Sequence, residues 1–202
     1  TVPLKTGCLV LSSASPGAGL QCEVCASTGQ NCTGKLQPCP AGQDSCGTVL
    51  TEVTLVGVKI LMVNKGCVTS SQCKAGLVSA NFGNEVASRT AIACCVEDAC
   101  TTVNFTMPPA DTTLNGLHCC GCFALTTEQC LEDPIKCTGA ETQCIDAVGT
   151  ISAGIFCPSV LAKGCVTASM CTHLKEDFWT FAGISSNLTT DNCTEASGAG
   201  GM

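Results

Sequence analysis

Apolar residues fall along this chain in short runs rather than in helical stripes. Val49-Leu50-Thr51-Glu52-Val53-Thr54-Leu55-Val56 is rich in β-branched side chains, Gly57 follows, and Val58-Lys59-Ile60-Leu61-Met62-Val63 resumes the run. Two strands joined by a turn are expected, because β-branched residues suit a pleated surface and glycine suits the turn. Alternation sets Val53 and Leu55 on one face and Thr54 and Val56 on the other, so both faces are partly apolar. A finger with one side in water would alternate more strictly. Two explanations stand: a central strand pair covered on its second side by the other domain, or a surface for a partner or for self-association. Residues 147–155 and 160–162 repeat the pattern, with Gly154 and Pro158 at the break. Helical periodicity is scarce, and only 174–181 reads as a short helical turn. The longest apolar candidate, 53–63, is interrupted by Gly57 and Lys59 and falls short of the roughly 18 residues of a membrane span. Cys8-Leu9-Val10-Leu11 is too short for the apolar region of a signal peptide, so a signal is expected to have been removed or to precede the numbering.

Cysteine spacing adds an internal repeat. From Cys22 the steps to Cys25, Cys32, Cys39, Cys46, Cys67, Cys73 and Cys94 are 3, 7, 7, 7, 21, 6 and 21. From Cys119 the steps to Cys122, Cys130, Cys137, Cys144, Cys165, Cys171 and Cys193 are 3, 8, 7, 7, 21, 6 and 22. Lys65-Gly66-Cys67-Val68-Thr69 returns as Lys163-Gly164-Cys165-Val166-Thr167, an offset of 98 residues. That period is too long for a solenoid unit and suits a small domain. The chain therefore divides into an N-terminal arm (1–20), domain one (21–106), a linker (107–116) that Pro108 and Pro109 stiffen, and domain two (117–202).

Composition narrows the class. Cysteine accounts for 21 of 202 residues, the level at which a disulfide scaffold is the default and an oxidising compartment is implied. Sequons at Asn31, Asn104, Asn187 and Asn192 agree with a secreted, extracellular glycoprotein. Charged residues make up 12% of the chain and the net charge is −7, with one arginine, Arg89, so there is no basic face for nucleic acid. With seven aromatics, six Phe and one Trp, no large aromatic core is possible, and small domains of this kind rely on covalent staples.

Cys22-x-x-Cys25 and Cys119-x-x-Cys122 allow a zinc-knuckle or redox reading. Against zinc, each pair is followed by evenly spaced single cysteines, and His118 and His173 are the two histidines. Against redox chemistry, no lysine or arginine sits close in sequence to depress a thiol pKa. Disulfides are the expected state, and no metal or cofactor is expected. No Gly-x-Ser-x-Gly element or His-x-x-x-His pair occurs, no glycine-rich loop precedes a helix, and Glu97 and Asp98 sit in a short solvated loop. No catalytic residue is expected.

The order Cys-x2-Cys, three evenly spaced cysteines, a long finger, then Cys94-Cys95-Val96-Glu97-Asp98-Ala99-Cys100 resembles the three-finger domain of the lymphocyte-antigen/urokinase-receptor family. Two such domains, with Lys-Gly-Cys-Val-Thr before the third finger, are similar to the gamma-type inhibitors of secretory phospholipase A2, and amphibian sodefrin-precursor-like proteins share the build. The resemblance spans about residues 20–195. It implies an all-β, small disulfide-rich fold of two tandem three-finger (snake-toxin-like) domains. It implies the pairs Cys22–Cys46, Cys25–Cys32, Cys39–Cys67, Cys73–Cys94 and Cys95–Cys100 in domain one. In domain two it implies Cys119–Cys144, Cys122–Cys130, Cys137–Cys165 and Cys171–Cys193. This chain departs from the pattern in having Thr101 after the last cysteine of domain one, and in lacking the Cys-Cys…Cys loop in domain two, which leaves the end of that domain less tied.

Cys8, Cys120 and Cys157 are left over. Three is odd, so either one further intrachain bond such as Cys120–Cys157 forms beside one thiol, or Cys8 on the arm links chains. For recognition, Phe178-Trp179-Thr180-Phe181 gathers three aromatics, which either fill the space between domains or face a partner, and Leu55 and Val56 mark the second candidate contact. The resemblance implies a secreted non-enzymatic protein that captures a protein partner, such as a secretory phospholipase, by steric occlusion. The alternatives are an extracellular structural or self-assembling protein of a secretion, egg coat or foam, and a pheromone-like signal.

Overall fold

A computed structural model describes residues 19–95, 105–125, 130–153, 159–174, 179–181 and 184–198. It is all-β with two short helices. In chain order, domain one is built from β1 (Gln21–Thr28), β2 (Lys35–Pro38), β3 (Ser45–Leu55), β4 (Val58–Val68), α1 (Ser70–Cys73), β5 (Leu77–Gly83) and β6 (Val86–Cys95). Domain two follows with β7 (Leu114–Ala124), β8 (Asp133–Thr138), β9 (Glu141–Ala153), β10 (Ser159–Thr167), α2 (Ala168–Leu174), β11 (Trp179–Phe181), β12 (Ile184–Glu195) and β13 (Ser197–Gly198). The hairpins β1–β2, β3–β4 and β5–β6 are the three fingers of domain one, and β7–β8, β9–β10 and β11–β12 are those of domain two.

The second finger forms where the β-branched run lies. β3 and β4 pair from Ser45↔Val68 to Leu55↔Val58, leaving a two-residue loop of Val56 and Gly57. Burial is graded along it: Val49, Leu50, Val63 and Val68 at the base are fully buried, whereas Val56 and Val58 at the tip are exposed. The base packs in two small clusters, Leu50 and Val63 against Phe105 and Met107, and Val49 and Val68 against Ile92. Phe105 and Met107 fold the end of domain one and the start of the linker back onto the finger, and Arg89 Nη2 donates to the Pro108 carbonyl.

Disulfides close each hub. Domain one joins Cys22 to Cys46, Cys25 to Cys32, Cys39 to Cys67 and Cys73 to Cys94, with Cα separations of 5.4, 5.9, 5.6 and 5.7 Å. Domain two joins Cys119 to Cys144, Cys122 to Cys130, Cys137 to Cys165 and Cys171 to Cys193, at 5.5, 5.8, 5.4 and 6.0 Å. Cys95 is also disulfide-bonded; Cys100 lies outside the described residues. The bridges stack in pairs, with Cys22 Sγ 3.3 Å from Cys39 Sγ and Cys119 Sγ 3.7 Å from Cys137 Sγ.

The two domains share one sheet. Its order is β11-β12-β9-β10-β5-β6-β3-β4-β1-β2, with β7 also on β10 and carrying β8 and β13. The junction is β5 on β10, where Asn81 faces Cys165 and Ala80 faces Val166. The outer edge of β10 is therefore divided between β7, at Leu161–Lys163, and β5. Beneath the junction Ala80 and Phe82 of domain one pack with Ile145, Ala147, Val160, Ala162 and Val166 of domain two. The Phe82 and Phe123 rings lie 5.5 Å apart, a spacing worth about 1 kcal/mol beyond the buried area. Glu141, buried, is held by donors from both domains: Ser79 Oγ at 3.1 Å, Thr138 N at 3.0 Å and Thr138 Oγ1 at 3.1 Å.

Two expectations are corrected. The helical turn placed at 174–181 lies elsewhere: α2 ends at Leu174, and Trp179–Phe181 is strand, because Trp179, Thr180 and Phe181 pair with Ser186, Ser185 and Ile184 of β12. The end of domain two is also better tied than its missing cysteine loop suggests. Ala196 N donates to Thr142 O at 3.0 Å, and Ser197 and Gly198 pair with His118 and Leu117, so backbone hydrogen bonds hold the end.

Candidate functional site

The surface that stands out is built on the tip of the second finger of domain one. Because β3 and β4 lie in register, Leu55 opposes Val58 and Val53 opposes Ile60. Opposed residues share a face and successive ones alternate, so these four side chains form one apolar ladder. Val56 caps it at 77% exposure, with Val58 at 61% and Ile60 at 39%, while Leu55 is half-buried. Both loop residues have positive φ, 49° at Val56 and 77° at Gly57, as the tight hairpin turn requires. Glycine accepts this freely; a β-branched residue crowds its own backbone there.

The charges beside the ladder are spoken for. Glu52 accepts from Arg89 at 3.4 Å and lies 3.5 Å from Lys59 Nζ. The Glu85 carboxylate, in the turn of the third finger, sits beside Gly57, 3.1 Å from where a Cβ would stand. The tip is therefore apolar, with a margin of balanced charge in which Lys59 and Arg89 stand against Glu52 and Glu85.

The second candidate stretch approaches the first. β11 lies at one end of the strand order, yet its backbone comes within 8 Å of β4, so the sheet curls until the aromatic strand of domain two reaches the second finger of domain one. Phe178 lies outside the described residues, and Trp179 and Phe181 are placed by their strand. Among the described residues, Phe82 and Phe123 are the aromatics that pack at the junction of the domains. Of the two explanations offered for 53–63, the first is corrected: the base at Val63 is packed by Phe105 and Met107, from the end of domain one and the start of the linker, and the tip stands in water.

On domain two, a groove of about 680 Å³ is lined by His118, Cys120, Glu132, Asp146, Lys163 and Asn192, among others. Lys163 bridges Glu132 at 2.7 Å and Asp146 at 3.0 Å, and the hydrogen bond to Glu132 is the chief cause of its raised ammonium pKa. Cys120 is exposed and is the free cysteine among the described residues, so the alternative of a Cys120–Cys157 bond does not hold. Cys8 and Cys157 lie outside the described residues. Cys22, Cys39 and Cys67, and likewise Cys119, Cys137 and Cys165, bring three sulfurs within 4.8 Å, but each sulfur is in a disulfide and offers no thiolate to a metal. Asn31, Asn187 and Asn192 are exposed; Asn104 lies outside the described residues. A bulge at Leu188/Thr190 puts Asn187 opposite Thr150 and Asn192 opposite Asp146, so both asparagines share the outer face of the sheet.

Two tandem three-finger domains joined edge to edge, with hubs spent on disulfides, define a disulfide-stapled scaffold whose exposed finger tip is its candidate binding surface. The phospholipase A2 inhibitor family model matches residues 20–102, and the u-PAR/Ly-6 domain model matches 115–197. The phospholipase A2 inhibitor NAI of Notechis ater is 34% identical, over 85% of this chain and 86% of that protein. A phospholipase A2 inhibitor gamma subunit of Gloydius brevicaudus siniticus is 33% identical, over 87% of this chain and 88% of that protein. Its counterpart in Elaphe climacophora is 34% identical, over 94% of each chain. Among solved structures, that of mouse TEX101 aligns with 87% of this chain and 98% of its own at 17% identity and a TM-score of 0.35, a likeness that carries no structural argument. The chain belongs to the family of the gamma-type phospholipase A2 inhibitors, and it is a non-enzymatic binding protein. No helix among the described residues is long and apolar enough to cross a membrane.

Proposed function

We propose that this protein is an extracellular inhibitor that captures a secretory phospholipase A2 and works by occlusion. The observation that carries the reading is the exposed apolar tip of the second finger on a chain whose relatives are named for that inhibition. Loss of enzyme activity then follows from covering a surface of the enzyme, with no bond made or broken. The stacked disulfides support an oxidising, extracellular setting, where such enzymes act. Surface plasmon resonance against a panel of basic and acidic secretory phospholipases tests the reading. Saturable binding to at least one member is expected, and binding to none overturns it.

The exposed thiol of Cys120 favours a second reading, in which the chain is also joined covalently to another molecule. A band that shifts between non-reducing and reducing gels is its expected sign, and one unchanged monomer band rejects it.

A further inference from the structure

Strand register gathers a thiol, an ion-paired lysine and an acceptor asparagine on one face of domain two. Asn192 of β12 opposes Asp146 of β9, and Asp146 opposes Lys163 of β10. Lys163 opposes Cys122 of β7, two residues beyond Cys120. Opposed residues share a face, and so do residues two apart along a strand, so Asn192, Asp146, Lys163 and Cys120 look the same way. All four line the groove of about 680 Å³. Thr194 lines it too, whereas Cys193, between Asn192 and Thr194, turns to the other face and bridges to Cys171. The sequon therefore presents both its acceptor amide and its hydroxyl to the groove in which Cys120 keeps an exposed thiol.

We propose that Asn192 carries an N-linked oligosaccharide that roofs this groove and closes Cys120 to macromolecules. The groove is lined by residues of domain two and takes no part in the inhibitor reading. The Asn192 amide nitrogen bonds to the anomeric carbon of an oligosaccharide carried on a polyprenyl diphosphate. The anomeric C–O bond breaks, the diphosphate leaves with the electron pair, and the amide gives up one proton. The attached group is bulky and hydrated, and from Asn192 it needs to cross only β9 and β10, at about 4.8 Å per strand, to reach β7. The groove suits it. Glu132, Asp146 and Lys163 offer acceptors and donors to sugar hydroxyls, and Pro134 and Ile145 offer apolar surface to the ring faces. A chain without the sugar leaves the thiol open, and that is the form in which Cys120 can be joined to another large molecule.

The experiment uses the full chain secreted from animal cells. Peptide mass spectrometry reads the occupancy of Asn192. Three samples are compared: wild type, wild type treated in its folded state with peptide N-glycosidase, and Thr194→Val. The substitution removes the sequon and keeps Asn192, at an exposed strand position that valine suits. The enzymatic arm keeps the test decisive should the variant fold poorly. Each sample is labelled with N-ethylmaleimide, and separately with a maleimide carried on a long polyethylene glycol, and labelling is read on the peptide that holds Cys120. The small reagent is expected to react at rates within about twofold in all three, and the polymer about tenfold or more slowly on the glycosylated chain, because the sugar is bulky. Removing the sugar by either route is expected to restore the polymer rate. An unmodified Asn192 overturns the proposal. So does an equal polymer rate with and without the sugar, and so does a Cys120 already joined by disulfide to another chain in the glycosylated protein.

Discussion

Glu23 shows how a single side chain locks the first finger to the second. Its carboxylate accepts from Gly34 N and from Lys65 Nζ, both at 2.9 Å. The Gly34 bond is the larger cause of a carboxyl pKa below the ordinary range, and Lys65 adds to it. A depressed pKa means that this stabilisation is complete above the unfolded value, about 4.3, and fades as pH falls through the folded one. Melting temperature measured from pH 6 to pH 2 should therefore separate wild type from Glu23→Gln at the upper end and converge at the lower. A gap independent of pH contradicts the assignment. At this scale the sequence was only partly legible. Alternation placed Val56 on a strand face, but its left-handed backbone follows from the two-residue loop, which only the register of β3 on β4 defines. The Thr69-x-x-Gln72 box that starts α1 was readable in principle, since Gln72 N donates to Thr69 Oγ1 at 3.2 Å and Thr69 N to Gln72 Oε1 at 2.9 Å.

Strands legible from β-branched runs are those whose partner is the next strand in sequence. The second fingers of both domains are of this kind, because a local turn brings their halves together. β5 is not: Val78, Ala80 and Phe82 alternate, but nothing local names β10, some eighty residues on, as the strand they join. The misplacement of the helix at 174–181 has another origin: β11 pairs with the next strand, but at three residues it is too short for alternation to mark it. The β5–β10 junction can be broken at one atom. Gly164 lies against the Asn81 carbonyl, so a methyl there must push the two domains apart. Gly164→Ala should cost about 2 kcal/mol or more, a fall in melting temperature of roughly 5 °C. Gly198→Ala, where a Cβ meets nothing within 4 Å, serves as the control and should stay within about 0.5 kcal/mol. Differential scanning calorimetry reads both, and equal melting of the two variants would contradict the tight junction.

At the scale of the whole molecule, the duplication of one small domain does more than double a surface. Sharing a sheet through β5 and β10, with a common core and Glu141 fastened from both sides, fixes the two domains relative to each other. That fixed geometry carries β11 of domain two to β4 of domain one, so strands far apart in sequence come together. The spacing of cysteines showed the duplication but could not show this convergence, because it depends on how the sheet curls. Asn187 and Asn192 stand together on the outer face of the sheet with the Cys120 groove, whereas the apolar tip carries no sequon. Hydrogen–deuterium exchange on the complex with a secretory phospholipase tests the central claim most directly. Capture by the finger tip predicts slowed exchange at residues 53–60 with the groove around Cys120 unchanged. Protection confined to the groove, with the tip exchanging as in the free protein, would contradict it.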